Sequence, residues 1–184
     1  MIRRIGAMMK NEIKNNKIFS LWLIGPSAAG KTTISKKIYE KLSIKYKSLI
    51  LLDGDQVRNI FANESGYDPV SRSRNIRKYV SIVNWLSSFK ASTIVAAINA
   101  FEKDRYFSRQ EIQNYKEVYL KCDLQERIKR DKKKLYLPAI NGEKKNVVDV
   151  DIPFEDPINC DLRIQSDLKS PDEIAENIIQ GLKL

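Results

Sequence analysis

The run Gly25-Pro26-Ser27-Ala28-Ala29-Gly30-Lys31-Thr32 follows a short apolar stretch at 18–24 and opens an amphipathic stretch at 32–42. It is a full G-x-x-x-x-G-K-[ST] pattern in its proper setting, between an expected strand and an expected helix. Glycines permit a turn whose successive N–H groups point at phosphate oxygens, and the following helix adds the positive end of its dipole. Lys31 can reach the β- and γ-phosphates, and the Thr32 hydroxyl can ligate Mg²⁺. Residues Gly25 to Thr32, with Thr33 after them, are therefore the expected ATP-binding loop. A plain strand-to-helix turn would have no use for the lysine and the threonine.

The rest of the chain extends that alternation. Expected strands at 48–52, 93–98, 117–122 and 161–165 alternate with helical patterns at 71–89, 103–114 and 124–132. In the longest of these, Ile76, Val80, Val83 and Leu86 recur at helical spacing. A final helix opens on Ser170-Pro171-Asp172-Glu173, an N-cap followed by Pro and a Glu at the box position. Repeated strand–helix units predict an α/β, three-layer nucleotide-kinase fold with a mostly parallel central sheet, and such sheets bind ligands at the carboxyl ends of their strands. No internal repeat or Gly/Ser-rich linker divides the chain. Residues 1–17 read as a basic extension and 18–184 as one domain. The basic stretch 131–146, with Lys132, Lys133, Lys134, Lys144 and Lys145, is too polar for core and reads as a helical lid, extending to about 150.

Composition narrows the chemistry. With no histidine among 184 residues, imidazole acid–base catalysis and His metal ligation are excluded, so carboxylates, Lys, Arg and a bound cation must do the work. The formal net charge of +10 would suit a nucleic-acid partner, but no recognition motif accompanies it. A site handling several phosphate groups accounts for the same sign. Two cysteines, Cys122 and Cys160, form neither a disulfide framework nor a metal cluster. Cys122 reads as a buried strand end, Cys160 as an adenine-site neighbour, and Trp22 and Trp85 as core. No apolar run is long enough for a membrane span, and a cytoplasmic location is expected.

Absence of an N-K-x-D guanine-reading sequence counts against a GTPase. Asp53-Gly54-Asp55 closes the second expected strand, near the phosphates. Paired carboxylates there can hold Mg²⁺ and accept a proton from an attacking hydroxyl, although Asp-Gly is also a common capped turn. Arg58, Arg72, Arg74 and Arg77 follow; Arg72 and Asn75 share one helical turn and could clamp an anionic acceptor. Arg77 and Lys78 read as solvated.

With these residues the chain resembles the adenylylsulfate (APS) kinase family, which phosphorylates the ribose 3′-hydroxyl of adenylyl sulfate with ATP and Mg²⁺. The resemblance spans about residues 18–157. It rests on the phosphate loop, Asp53-Gly54-Asp55 with Arg58, Gly66-Tyr67, Arg72, Asn75-Ile76-Arg77, Arg130-Asp131, Leu135-Tyr136, Gly142-Glu143 and Asp151-Ile152-Pro153-Phe154-Glu155. It implies Lys31, Asp53 and Asp55 as catalytic residues, with Asp55 as base and, beside Thr32, as metal partner. It further implies Arg130 on the ATP adenine. Arg58, Tyr67, Arg72, Asn75, Ile98, Asn99, Leu135 and Val147 are the implied acceptor side, with Tyr67 stacking on the base. A homodimer is implied as well.

Departures from the family pattern gather on the acceptor side. Ser71 stands where the family has Asp, Asn99-Ala100 replaces Ser-Pro, Leu137 and Ile140 replace basic residues, and Val147 replaces an aromatic. A smaller base tolerates Val where a purine sandwich wants an aromatic ring. The expected acceptor is therefore an analogue of adenylyl sulfate, such as the cytidine diphosphoramidate of capsule phosphoramidate pathways. Adenylyl sulfate itself is the alternative, and a regulatory ATPase is the alternative of another class.

Overall fold

The computed structural model describes residues 17–61 and 66–184. The basic extension expected at 1–17 therefore lies outside the described residues except for Lys17. Five strands, β1 (Ser20–Ile24), β2 (Leu49–Asp53), β3 (Ser92–Ala97), β4 (Tyr115–Lys121) and β5 (Leu162–Gln165), form one sheet in the order β2-β3-β1-β4-β5. Every pairing is parallel, and Ser20 of β1 lies opposite both Thr93 and Tyr115. The helices are α1 (Lys31–Leu42), α2 (Gly54–Ile60), α3 (Pro69–Ser88), α4 (Glu102–Glu111), α5 (Leu124–Arg130), α6 (Tyr136–Ile140) and α7 (Pro171–Leu182).

A parallel sheet covered on both faces needs strands that are apolar throughout, and β1 is buried at all five positions. Its alternation divides the core in two. Leu21 and Leu23 join Ile34 and Ile38 of α1, Val118 and Leu120 of β4, and Ile174 and Ile178 of α7. Trp22 and Ile24 face the other way, onto Val57 of α2 and Ile76, Tyr79, Val80 and Val83 of α3. Each such side chain, fully buried, contributes about 1.5–3 kcal/mol.

Helix ends follow local chemistry. Helix α3 starts two residues earlier than its periodicity implied, because Asp68 accepts from the Ser71 N–H at 3.0 Å and Pro69 fits the first turn. Helix α7 carries the full capping box read from Ser170 and Glu173. Helix α4 stops at Glu111, freeing Ile112 to enter the second core. The short helix α2 is not among the expected elements, whereas α6 falls inside the stretch read as a helical lid. Trp85 corrects the core reading: it is 63% exposed and meets Phe89 edge-on on the outer face of α3. Cys160 is corrected too, since it packs against the second core and is absent from the lining of the cleft over the phosphate loop. Arg77 lies over the Phe107 ring and Lys78 over the Phe61 ring, so their stems cover apolar surface. Among the described residues no helix is long and apolar enough to cross a membrane.

Candidate active site

The phosphate loop leaves the central strand, so it starts at the carboxyl edge of the sheet. Gly25 has φ +148°, and a Cβ there would lie 2.6 Å from the Leu120 carbonyl oxygen of the neighbouring strand. Glycine is thus required by close approach as well as by backbone angle. Gly30, at φ 90°, is the N-cap of α1 and aims its first free N–H groups into the loop.

A cleft of about 540 Å³ opens over this loop. Lys31 bends back to donate to the Pro26 carbonyl at 2.5 Å. Burial pulls its ammonium from 10.5 down to about 7, against the raising pull of Asp53. The Thr32 hydroxyl donates to Asp53 Oδ2 at 2.6 Å. The other oxygen of that carboxylate accepts from the Asp55 N–H at 3.0 Å and caps α2. Asp53 therefore serves as cap and as partner of the phosphate-loop threonine at once, which joins the two readings of the Asp-Gly-Asp turn. Asp55 is exposed, projects into the cleft and pairs with Lys133 of the lid.

The residues expected on the acceptor side lie on α2, α3 and the turn before α3. Arg58 lies 4.7 Å over the Tyr67 ring and Arg72 5.8 Å from it. Asn75 Nδ2 donates to the Gly66 carbonyl at 3.5 Å. Arg72 is buried and Nη2 donates to the Asn146 carbonyl at 2.8 Å, while its Nε has no hydrogen-bond partner. Burial and the neighbouring Arg58 charge lower the Arg72 guanidinium to about 10. The Arg72 guanidinium, buried and with its Nε unused, suits an anionic ligand.

Not every expected residue reaches the cleft. Arg58, Ile98 and Arg130 line it with the loop, whereas Tyr67, Arg72 and Asn75 lie behind Arg58, outside that lining. Asn99 has no exposed surface, although neither end of its carboxamide finds a partner. Val147 is buried with Tyr136 and Ala139, and Leu135 packs against that cluster, so both support from inside the stretch expected as a lid. The lid is accordingly less polar within than its lysines implied. Tyr136 is wholly buried, and its hydroxyl donates to the Ser27 carbonyl at 2.9 Å.

Ser166, Lys169, Pro171 and Ile174 also line the cleft, without any sequence signal. They arrive because β5 lies beside β4 and β4 beside β1. Ser166 Oγ donates to the Ala29 carbonyl at 2.9 Å, and Arg130 Nη1 donates to the Ser166 carbonyl at 3.4 Å, closing that end around the loop.

This arrangement has known counterparts. The family model of adenylylsulphate kinase matches residues 17–165. Cytidine diphosphoramidate kinase of Campylobacter jejuni is 40% identical over 173 residues, which are 94% of this chain and 100% of that protein. Adenylyl-sulfate kinase of Thermodesulfovibrio yellowstonii is 31% identical over 176 residues, 95% of this chain and 88% of that protein. The structure of the Mycobacterium tuberculosis APS kinase in complex with AMPPNP and APS superposes with a TM-score of 0.85 at 28% identity, covering 92% of this chain and 100% of that one.

Proposed function

The chain belongs to the adenylylsulphate kinase family, and from that premise we propose that it phosphorylates the ribose 3′-hydroxyl of cytidine diphosphoramidate. It is a phosphotransferase of the adenylylsulphate kinase type. The observation that carries the choice of acceptor is the 40% identity, over the whole of that protein, to a cytidine diphosphoramidate kinase. The departures at Leu137 and Ile140, exposed apolar residues where the family pattern has basic ones, support the same choice.

In this reading the loop N–H groups and Lys31 hold the ATP phosphates, and Arg130 packs against the adenine. Arg58, Arg72 and Asn75 hold the acceptor's phosphate groups, and Tyr67 lies against its base. Thr32, Asp53 and Asp55 offer hard oxygen donors side by side, the donor set that suits Mg²⁺, which keeps several waters. Held by Thr32 and Asp55, Mg²⁺ would neutralise phosphate charge during transfer. Asp55 accepts the proton as the acceptor's 3′-oxygen bonds to the γ-phosphorus and the β–γ bridging P–O bond breaks, releasing ADP. Release of Lys133 from Asp55 exposes the carboxylate for that step, and the lid over residues 131–150 then excludes water, which would compete as acceptor. Asp55→Asn should remove turnover and leave the affinity for metal-free ATP within about twofold, because the loop and Lys31 contacts remain.

The test is ADP release with Mg-ATP against cytidine diphosphoramidate, adenylyl sulfate, CDP, CMP and AMP. Cytidine diphosphoramidate should respond most strongly. A strong response to adenylyl sulfate alone would replace it as the acceptor, and no response above background hydrolysis would favour a regulatory ATPase. We place the enzyme in the cytoplasm as a homodimer, which sedimentation would report as twice the 21.3 kDa chain mass.

A further inference from the structure

Arg127 stands outside every role assigned above. It lies on α5 with 3% of its side chain exposed, so its guanidinium needs partners on all sides. Nε donates to the Cys122 carbonyl at 3.0 Å, just past the carboxyl end of β4. Nη1 donates to the Tyr136 hydroxyl at 2.6 Å, and Nη2 donates to the Asp149 carboxylate. Tyr136 passes the connection on to Ser27 of the phosphate loop.

Asp149 carries it the other way. It belongs to a tight turn at 146–151 in which Asn146 has φ 65° and Asp149 φ 70°. Asp151 closes that turn by accepting from the N–H groups of Asn146 and Val147, each at 2.6 Å. The Asn146 carbonyl of the same turn accepts from Arg72. Hydrogen bonds and one ion pair thus run from the phosphate loop through Tyr136 and Arg127 to Asp149, and across the turn to Arg72. Asp and Asn tolerate positive φ, and the N–H groups of Val150, Asp151 and Ile152 all donate to the Val147 carbonyl, so the turn keeps its own shape while outside contacts such as that of Asp149 with Arg127 set where it sits.

We propose that Arg127 and Asp149 are positioning residues: they form a strut that sets the lid turn, and through it Arg72, according to whether the phosphate loop is filled. The part concerning Arg72 rests on its reading as an acceptor residue; the part concerning the lid does not. Nucleotide phosphates on the loop fix Ser27 and with it Tyr136. Arg127 transmits that order to Asp149, and the turn then offers Asn146 to Arg72. Removing the Asp149 charge leaves the buried Arg127 guanidinium without its ion-pair partner and the turn without one of its outside contacts.

Asp149→Asn keeps the side-chain size and the tolerance for positive φ while removing the charge. Lys132, Lys133, Lys134, Lys144 and Lys145 are exposed and give trypsin its sites in the lid. A saturating non-hydrolysable ATP analogue should slow cleavage of the wild-type lid by at least about fivefold, the lower end of ordinary site-to-site coupling. Asp149→Asn should lose most of that protection while saturated with the same analogue. Arg127→Met added to Asp149→Asn should change the protection little further, because the two act as a unit. With cytidine diphosphoramidate as acceptor, Asp149→Asn should raise the acceptor KM by about fivefold and leave kcat within about twofold. A purely structural role would speed cleavage equally with and without the analogue, and would lower Tm and kcat with KM unmoved. That pattern would overturn the proposal, as would equal protection in wild type and variant, or none in either. If wild type turned over no acceptor in the panel, the acceptor reading would fall, while the cleavage comparison would still decide on the strut.

Discussion

Lys31 sets how many protons accompany the nucleotide into this site. Its ammonium is drawn inward onto the Pro26 carbonyl, and burial lowers it from 10.5 to about 7. At pH 8 the empty site then carries about 0.1 proton on that amine. A triphosphate seated against it supplies opposite charge at contact distance, which lifts the amine by about two units or more. Nucleotide binding should therefore take up about 0.8–0.9 proton at pH 8 and about 0.5 at pH 7. The terminal phosphate, with a second ionisation near about 6, is already charged at pH 8, so uptake measured there belongs to the protein. The sign follows from a folded value below the unfolded one. The penalty for a charged Lys31 in the empty protein is fully present below about pH 7 and fades as pH rises toward 10.5, so this group makes the empty protein more stable across that interval. Calorimetric titration with an ATP analogue at pH 8, in phosphate and in Tris, reads the proton count from the dependence of heat on buffer ionisation enthalpy. Lys31→Arg, which stays charged, should abolish that dependence. A wild-type slope near zero, or one unchanged in the Arg variant, would refute the argument.

Tyr136→Phe keeps the ring and removes the hydroxyl between Arg127 and Ser27. An unpaired buried donor on a charged group costs about 1–3 kcal/mol, which in a domain this size lowers Tm by about 3–10 °C in a melting scan. Gly25→Ala forces a Cβ to within 2.6 Å of the Leu120 carbonyl, so ATP-agarose should retain none of the variant; retention like that of wild type would contradict the contact. Ser170→Ala breaks the capping box of α7, worth about 1 kcal/mol, and should lower Tm by about 2–4 °C.

Strand order along the chain and the phosphate loop were legible because each rests on local pattern: apolar runs, helical periodicity, and glycines at fixed spacing. Helix α2 escaped notice, since seven residues are too few to show a period. In the stretch read as a helical lid the lysines masked Tyr136, Ala139 and Val147, apolar residues that turn inward against one another. The Asp-Gly-Asp turn could be assigned a place but not a division of labour. Only the fold shows Asp53 bonded to Thr32 and Asp55 paired with Lys133, 78 positions away. Ser166 and Arg127 gave no sign at all, because their partners are set by strand adjacency and by the return of the lid. Trp85 misled in the opposite sense, its size pointing to the core when α3 turns it to solvent.

The alternation within β1 gives the two halves of the cleft separate foundations. Leu21 and Leu23 seat the layer of α1 and α7 beneath the phosphate loop, whereas Trp22 and Ile24 seat α2 and α3, which carry Arg58, Arg72 and Asn75. Substitutions that drift through the second layer can reshape the acceptor pocket while the first layer keeps its packing. Core substitutions in the second layer should therefore leave ATP binding intact more often than those in the first.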